Sequence, residues 1–373
     1  MYKYFFKLGH QPKLSIAEIE AMFEIHDIEV EFLMVDKNFF AKTSKEIDCT
    51  LFNKELGGTV YIAKKIKDSL NHVNEITEYL NTTVEGKIAF SIHGKKNREA
   101  LQIKKKLKEL GRSVRYIEHK NSATIVYNSL YKNGADITII DSELYATQSV
   151  QELNQYAERD FDKPGSDSKS GMLPPKLARM MINIGRGHIS QKSIDYSTLL
   201  DPFCGSGAVL LEGLSLGFRN VLGSDNSQKA VDDTTKNVEW YKEKIHSTAT
   251  SNVQLLDAQK MYDAYEKGSV ALIVSEPYMG KPLRGNESIF YIEKQAKELE
   301  ELYTNAINEM VDLLHDDGAI VFLVPTFHHK DGDVVPQLRG VDERLIDVYE
   351  GDHLFYHREG QHLTRVLHIF KKN

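Results

Sequence analysis

The chain has 373 residues, with 47 Lys and Arg against 54 Asp and Glu, 41% hydrophobic side chains and 2 Cys. At roughly 100 to 200 residues per domain this predicts two or three domains, and no apolar run approaches the roughly 20 residues that a membrane-spanning helix needs. Taken whole, the formal net charge of −7 argues against a polynucleotide partner, because nucleic-acid-binding chains tend to carry excess base.

The chain opens with an aromatic, strand-prone segment at residues 2–7 and turn chemistry at 9–12. Ser15-Ile16-Ala17-Glu18 reads as a capping box, with Leu14 and Ile19 as a hydrophobic staple, so a helix is predicted to begin near Ser15. Strands over 28–32 and 39–43 complete a small α+β unit, ferredoxin-like in outline, over residues 1–48. A second unit, residues 49–145, has a strand at 87–93 followed by Ala100, Ile103, Leu107 and Leu110 on one helix face, ended by Gly111. Strands are predicted at 113–117, 123–127 and 137–140, and Tyr116, Tyr127 and Tyr131 are read as core aromatics rather than base-stacking platforms.

Charge counted by segment changes the first impression. Residues 1–150 carry 22 basic and 20 acidic side chains, a net of +2, which leaves −9 for the remainder. Residues 87–132 alone reach +9. Lys95, Lys96, Arg98, Lys104, Lys105, Lys106, Lys108 and Arg112 are therefore candidate RNA-binding residues on a phosphate-attracting face, against the plainer reading of a solvated, Lys-rich helix. The start of the chain lacks a signal peptide's apolar stretch, and the two Cys are far apart, so a reducing, cytoplasmic setting is expected.

Residues 146–170 are read as a linker, with the polar 160–170 loop as a mobile cover over a bound ligand. From 171 to 373 strands alternate with helices, the pattern of a mostly parallel sheet covered on both faces. Within it Asp201-Pro202-Phe203-Cys204-Gly205-Ser206-Gly207 joins an apolar strand to a helix, where glycines let the backbone approach a ligand. Asp225 and Asp257 end the next two strands, and strand-end carboxylates on one edge suit a nucleoside. No Gly-Lys-Ser/Thr follows the glycines, which excludes a phosphate-binding P-loop. His328-His329 and His353/His357 lack partners at zinc spacing and are read as ordinary surface or core histidines, so no metal is expected.

Asp-Pro-Phe-Cys-Gly-Ser-Gly resembles motif I of class I S-adenosylmethionine-dependent methyltransferases, and Ser275-Glu276-Pro277-Tyr278 resembles the Asp/Asn/Ser-Pro-Pro-Tyr motif of enzymes that methylate amino groups on bases. With residues 171–178 (Gly-Met-Leu-Pro-Pro-Lys-Leu-Ala) preceding motif I, the order is similar to the tRNA guanosine-10 N2-methyltransferase family. The resemblance implies a Rossmann-like α/β catalytic domain over 171–373, preceded by ferredoxin-like and THUMP-like units, with S-adenosyl-L-methionine as cofactor and tRNA as partner. It implies cofactor contacts from Pro174, Asp201, Pro202, Phe203, Gly205, Gly207, Asp225, Asn226, Asp257 and Ala258. It also implies that the Ser275 hydroxyl and the Glu276 carbonyl accept the amino hydrogens, that Pro277 stiffens the turn and that Tyr278 stacks on the base. DNA or ribosomal RNA amino-methylation, and a noncatalytic RNA-binding role, remain open alternatives.

The chemistry asks for little more. An exocyclic amino group has its lone pair delocalised into the ring, whereas a sulfonium methyl is already activated. Positioning and acceptors for the amino hydrogens are what a protein adds. Here a neutral Ser stands where the commonest motif has Asp, and charged hydrogen bonds are about twice as strong as neutral ones. Glu276 is the neighbouring candidate to restore the carboxylate.

Overall fold

The computed structural model describes residues 1–94, 97–118, 122–165, 172–189, 198–262, 264–349 and 354–373. They form two compact units: Met1–His10 with Asp27–Glu152, and Gln11–His26 with Leu153–Asn373.

The first 152 residues contain β1 (Tyr2–Leu8), α1 (Pro12–Ile25), β2 (Val30–Val35), β3 (Asn38–Thr43), α2 (Cys49–Glu55), β4 (Thr59–Asp68), α3 (His72–Thr83), β5 (Ile88–Ile92), α4 (Asn97–Glu109), β6 (Val114–Tyr116), α5 (Ser122–Tyr127), β7 (Asp136–Ile140) and β8 (Glu143–Val150). The eight strands make one sheet in the order β2-β3-β1-β4-β8-β7-β5-β6. Antiparallel pairing of β1 with β4 joins strands from both of the expected N-terminal segments. Ile76 and Leu80 of α3 and Ala100, Ile103 and Leu107 of α4 pack on Ile88, Phe90 and Ile137 of the sheet. Helix α4 closes as expected for a glycine in the left-handed region. Gly111 has φ +78°, its N–H donates to the Lys108 carbonyl, and that of Arg112 donates to Leu107.

Three local expectations are corrected. Helix α1 begins at Pro12, not near Ser15, because proline at the first helical position forfeits an N–H that has no intrahelical acceptor anyway. Ser15 instead lies inside the first turn, its Oγ donating to the Gln11 carbonyl, and Glu18 is buried and accepts from Asn183 Nδ2 at 2.8 Å. The segment expected as a strand at 123–127 is helix α5, since a short run of β-branched residues carries no periodicity that separates the two. It turns Ile125 inward and leaves Tyr127 90% exposed, whereas Tyr116 packs on Phe90 with ring centroids 5.5 Å apart. Leu110 lies one residue past the end of α4 and is exposed rather than on its buried face.

The second unit adds α6 (Leu153–Ala157), a π-helical turn at Glu158–Asp162, α7 (Pro175–Arg186), β9 (Thr198–Asp201), α8 (Ala208–Leu216), β10 (Asn220–Asp225), α9 (Gln228–Lys244), β11 (Thr250–Leu255), β12 (Val270–Ser275), α10 (Ile289–Val311), β13 (Leu314–Phe327), β14 (Leu345–Asp347), β15 (Leu354–His357) and β16 (Leu363–Lys372). The sheet order is β11-β10-β9-β12-β13-β16-β14, with β15 also on β16. Strands β11 through β13 are parallel, and β16 runs antiparallel to β13. Neighbouring residues alternate between two cores. Leu199 and Leu272 face a cluster with α1, α7 and α8, while Leu200 and Ile273 face one with α10. This is a doubly covered α/β sheet whose strand order reverses between β9 and β12, the place where such sheets bind ligands at their carboxyl ends.

Candidate active site

Strands β9, β10, β11 and β12 are mutually parallel, so their last residues share one edge: Asp201, Asp225, Leu255 with Asp257 just beyond, and Ser275. At the reversal point Ser275 Oγ donates to Asp201 Oδ1 at 2.7 Å, and the Phe203 N–H donates to the same oxygen at 3.1 Å. Both side chains are buried. Burial pushes the Asp201 carboxyl up to about 7; the Ser275 and Phe203 donors oppose the rise, and the charges of Asp225 and Glu276 add to it.

The glycine turn between β9 and α8 is fastened from several sides. Gly205 and Gly207 have φ of +52° and +83°, and Gly207 precedes α8 as its cap. A Cβ on Gly207 would come within 3.0 Å of Thr234, whereas one on Gly205 would meet nothing nearer than 4.0 Å, leaving space for a ligand. The Gly205 N–H donates to Asp225 Oδ2, and Thr234 Oγ1 of α9 donates to the Gly205 carbonyl. Asp225 Oδ1 accepts from the Ser227 N–H, Asp257 Oδ1 from the Gln259 N–H, and the Leu256 N–H bonds back to the Asp225 carbonyl. Asn226 is exposed, Ala258 and Pro202 are buried, and Phe203 sets its ring edge-on to Phe322. Pro174 caps α7, accepting from the Leu177 and Ala178 N–H groups. Cys204 is buried and its thiol is pushed well up by burial, which removes it as a nucleophile.

Beyond Ser275 the chain leaves β12 under tight control. Glu276 forms an ion pair with Arg365 of β16, which also donates to Gln361 Oε1 at 3.0 Å. Pro277 is buried. The Tyr278 carbonyl accepts from Tyr303 of α10 at 2.7 Å while its ring stays 55% exposed, and Gln295 accepts from the Lys281 N–H at 2.9 Å. The motif thus presents one free aromatic face on a pinned backbone, and the Glu276 carboxylate is committed to Arg365. The carboxylate standing behind Ser275 is that of Asp201.

Sequence reasoning missed Arg365, Tyr303, Thr234 and Asn237, which position the site from later elements; only Thr234 and Asn237, polar residues on the buried face of α9, carried a local signal. The 160–170 loop is also not free where it is described. Lys163 Nζ donates to Ser206 Oγ at 3.2 Å, and Gly165 exchanges two hydrogen bonds with the Asn237 amide at 2.7 and 2.8 Å. Residues 166–170 lie outside the described residues.

Among the basic candidates, Lys95 and Lys96 also lie outside the described residues. Arg98, Lys105, Lys106 and Lys108 are exposed and Lys104 half-buried. Arg112 does not offer its guanidinium to solvent: it bonds the carbonyls of Asn81, Val84 and Gly86 and the Asn81 side chain, a structural use. His328 and His357 both bond Thr364 Oγ1, and His353 lies outside the described residues. Among the described residues no cluster of three or more His, Cys, Asp or Glu could hold a metal ion, and no helix is long and apolar enough to cross a membrane.

Residues 165–331 match the family described as RMKL-like, methyltransferase domain. A protein named "Probable tRNA (guanine(10)-N2)-dimethyltransferase", from Methanothermococcus thermolithotrophicus, is 29% identical over 53% of this chain and 98% of its own. The tRNA (guanine(10)-N2)-dimethyltransferases of Pyrococcus abyssi and Methanothermobacter thermautotrophicus are 26% and 27% identical over 46% and 61% of this chain. The chain spans about half the length of those two, 46% and 56%. Among solved structures, TrmN from Thermus thermophilus aligns over 100% of both chains with a TM-score of 0.55 at 13% identity, a likeness of fold. The C-terminal unit therefore has the Rossmann-like class I methyltransferase fold.

Proposed function

We propose that this chain, which resembles the tRNA (guanine(10)-N2)-methyltransferases, transfers a methyl group from S-adenosyl-L-methionine to the exocyclic N2 of a guanine in tRNA, at position 10 by family resemblance. The observation that carries the reading is the convergence, on one edge of a parallel sheet, of the open Gly205 turn, Asp225, Asp257 and the Ser275–Tyr278 segment. The residues fit the cofactor: Asp225 takes ribose hydroxyls and Asp257 the adenine end, with Asn226 and Ala258 beside them, Pro202, Phe203, Gly205 and Gly207 forming the turn after β9, and Pro174 at the start of α7. When bound, the cofactor supplies an activated sulfonium methyl.

Tyr278 then stacks on a base taken out of its helix, and the Tyr303 and Pro277 contacts keep that platform from shifting. Because its O–H donates a hydrogen bond to Asp201, the Ser275 oxygen is left to accept, and in this reading the Glu276 carbonyl accepts as well. These acceptors favour the nitrogen that becomes positive as its bond to the methyl carbon replaces the carbon–sulfur bond, before it sheds its surplus proton to solvent. Ser275 is fully buried, so the amino group meets it after the side chains that cover it move. In this reading the ionised form of Asp201, whose carboxyl burial pushes up to about 7, supplies through Ser275 the negative charge that the serine lacks. Arg365 holds the turn by Glu276 rather than leaving that carboxylate to the substrate.

Residues 49–145 serve as the THUMP-like, RNA-binding part of a cytoplasmic enzyme, with the exposed cations of α4 meeting tRNA phosphates, which position the substrate without reading bases. The test is calorimetry with S-adenosylmethionine, then mass spectrometry of nucleosides from treated tRNA. N2-methylguanosine supports the reading; N6-methyladenosine, or no product from protein that binds the cofactor, overturns it. Ser275→Ala and Glu276→Gln assign the acceptors: Ser275→Ala should lower turnover by roughly tenfold or more, the worth of one charge-assisted hydrogen bond, while unchanged turnover in both removes the motif from the mechanism.

A further inference from the structure

The turn that follows α6 brings Arg159 and Lys163 into the interior of the C-terminal unit, close to Arg179 of α7 and the carboxylate of Glu212. Glu212 of α8, fully buried, receives Arg159 on Oε1 and Arg179 on Oε2, the latter at 2.6 Å. Both guanidiniums also lie over the Tyr156 ring, at 5.0 and 5.3 Å from its centroid. Glu212 is thereby saturated. Lys163, just past the π-helical turn, is 4% exposed and has no ion pair among the described residues. Among the described residues its one hydrogen-bond acceptor is the neutral Ser206 hydroxyl, inside the Gly205–Gly207 turn.

That arrangement is costly as it stands. An ammonium has three donors, and burying it beside a single hydroxyl leaves most of its lost hydration unreplaced. Burial lowers the basicity of Lys163, and the more distant charges of Asp160 and Glu212 only partly oppose this. Yet the position is enforced. Asn237 of α9 clamps Gly165 through both of its amide atoms and accepts no slack in the turn, because the same Nδ2 donates to the Ser206 carbonyl at 2.8 Å. A Cβ on Gly165 would lie 2.8 Å from Asp233 Cβ, so the segment is pressed against α9. The same turn begins α8, whose first N–H groups make a positive helix end. A buried cation held at a glycine turn, at a helix start, with space beside Gly205, is a half-built anion site.

We propose that Lys163 anchors the α-carboxylate at the amino-acid end of the cofactor. The inference rests on the methyltransferase reading. With the nucleoside over the ends of β10 and β11 at Asp225 and Asp257, the amino-acid end falls toward the β9 turn, and its carboxylate is the cofactor's one anionic group. Ser206 holds the ammonium in place until that group arrives. The product of transfer keeps the same carboxylate, so it is held by the same contact.

The test compares S-adenosylmethionine with its decarboxylated analogue by calorimetry on the full chain. The wild-type protein should bind the intact cofactor roughly tenfold or more tightly than the analogue, as expected for one buried charge-assisted hydrogen bond. Lys163→Met should lose that preference, weakening the intact cofactor and leaving the analogue's affinity unchanged. Equal affinities for the two ligands in the wild type overturn the proposal without any variant, and so does a Lys163→Met protein that weakens both alike, which would mark the lysine as a fastening for the turn. Failure of the wild type to bind either ligand would instead overturn the methyltransferase reading on which the proposal stands.

Discussion

In residues 1–150 the excess charge lies outside. Lys105, Lys106 and Lys108 stand exposed along α4, and the pair Lys105–Glu109 is loose at 3.9 Å. In the C-terminal unit charge is folded in: Arg159, Arg179 and Glu212 are each 3% exposed or less, and Asp201 meets Ser275 in the interior. The same residue types do different work. Surface charges interact weakly with each other through water and so remain available to a partner. Buried ones are expensive, so each is held by specific bonds and in turn fixes the geometry around it.

The largest effect that sharpens this contrast should come from Glu212→Ala. It leaves two buried guanidiniums without a counter-charge, which costs about 3–5 kcal/mol. Denaturant unfolding of the full chain should show that loss, while Lys105→Ala stays within about 0.5 kcal/mol of wild type. A Glu212→Ala protein as stable as wild type would erase the contrast.

Tyr278→Ala comes next. A stacked base is worth about 1–3 kcal/mol, so kcat/KM should fall roughly 5- to 150-fold. Its ring is largely exposed, so the denaturation midpoint and the cofactor Kd should not move. Reversing Lys104, Lys105 and Lys106 to Glu should weaken tRNA binding and flatten its salt dependence by about 0.7–0.9 in log–log slope for each phosphate that is no longer neutralised. Cofactor affinity should be untouched; tRNA affinity that stays at the wild-type value means that α4 faces solvent alone.

What was readable beforehand follows the same division. Strand-end residues such as Asp201, Asp225 and Ser275 stood out because a parallel sheet delivers each strand's end to one edge, so local motifs add up. Their supports did not. Arg365 reaches Glu276 across 89 residues and Tyr303 reaches Tyr278 across 25, and no local pattern encodes such pairings. In the N-terminal unit apolar spacing located α4, but the charge count could not tell Arg112, which ties down the segment at 81–86, from its solvent-facing neighbours. Helix α5 was misread because six residues are too few for a period, and Tyr127 went with it.

Asp136 breaks the contrast, since it is a fully buried charge in the N-terminal unit, and it gives the smallest effect expected. His93 Nε2 lies 2.8 Å from Oδ2, Thr147 donates at 2.6 Å, and Ser91 bonds Oδ1. Burial alone raises its carboxyl, but the His93 bond and charge, together with Ser91 and Thr147, outweigh it and hold the group below its ordinary value. A folded carboxyl that is lowered stabilises fully above the unfolded value of about 3.9, and the contribution drains away as pH falls through the folded one. Amide exchange in β5, β7 and β8, normalised for the intrinsic rate, should therefore lose protection as pH drops below about 4. In Asp136→Asn protection should be lower at neutral pH and flat across that range. A variant that keeps the wild-type slope would mean that other carboxylates set the acid sensitivity of this sheet, and that buried charge in the N-terminal unit is as incidental as the exposed kind.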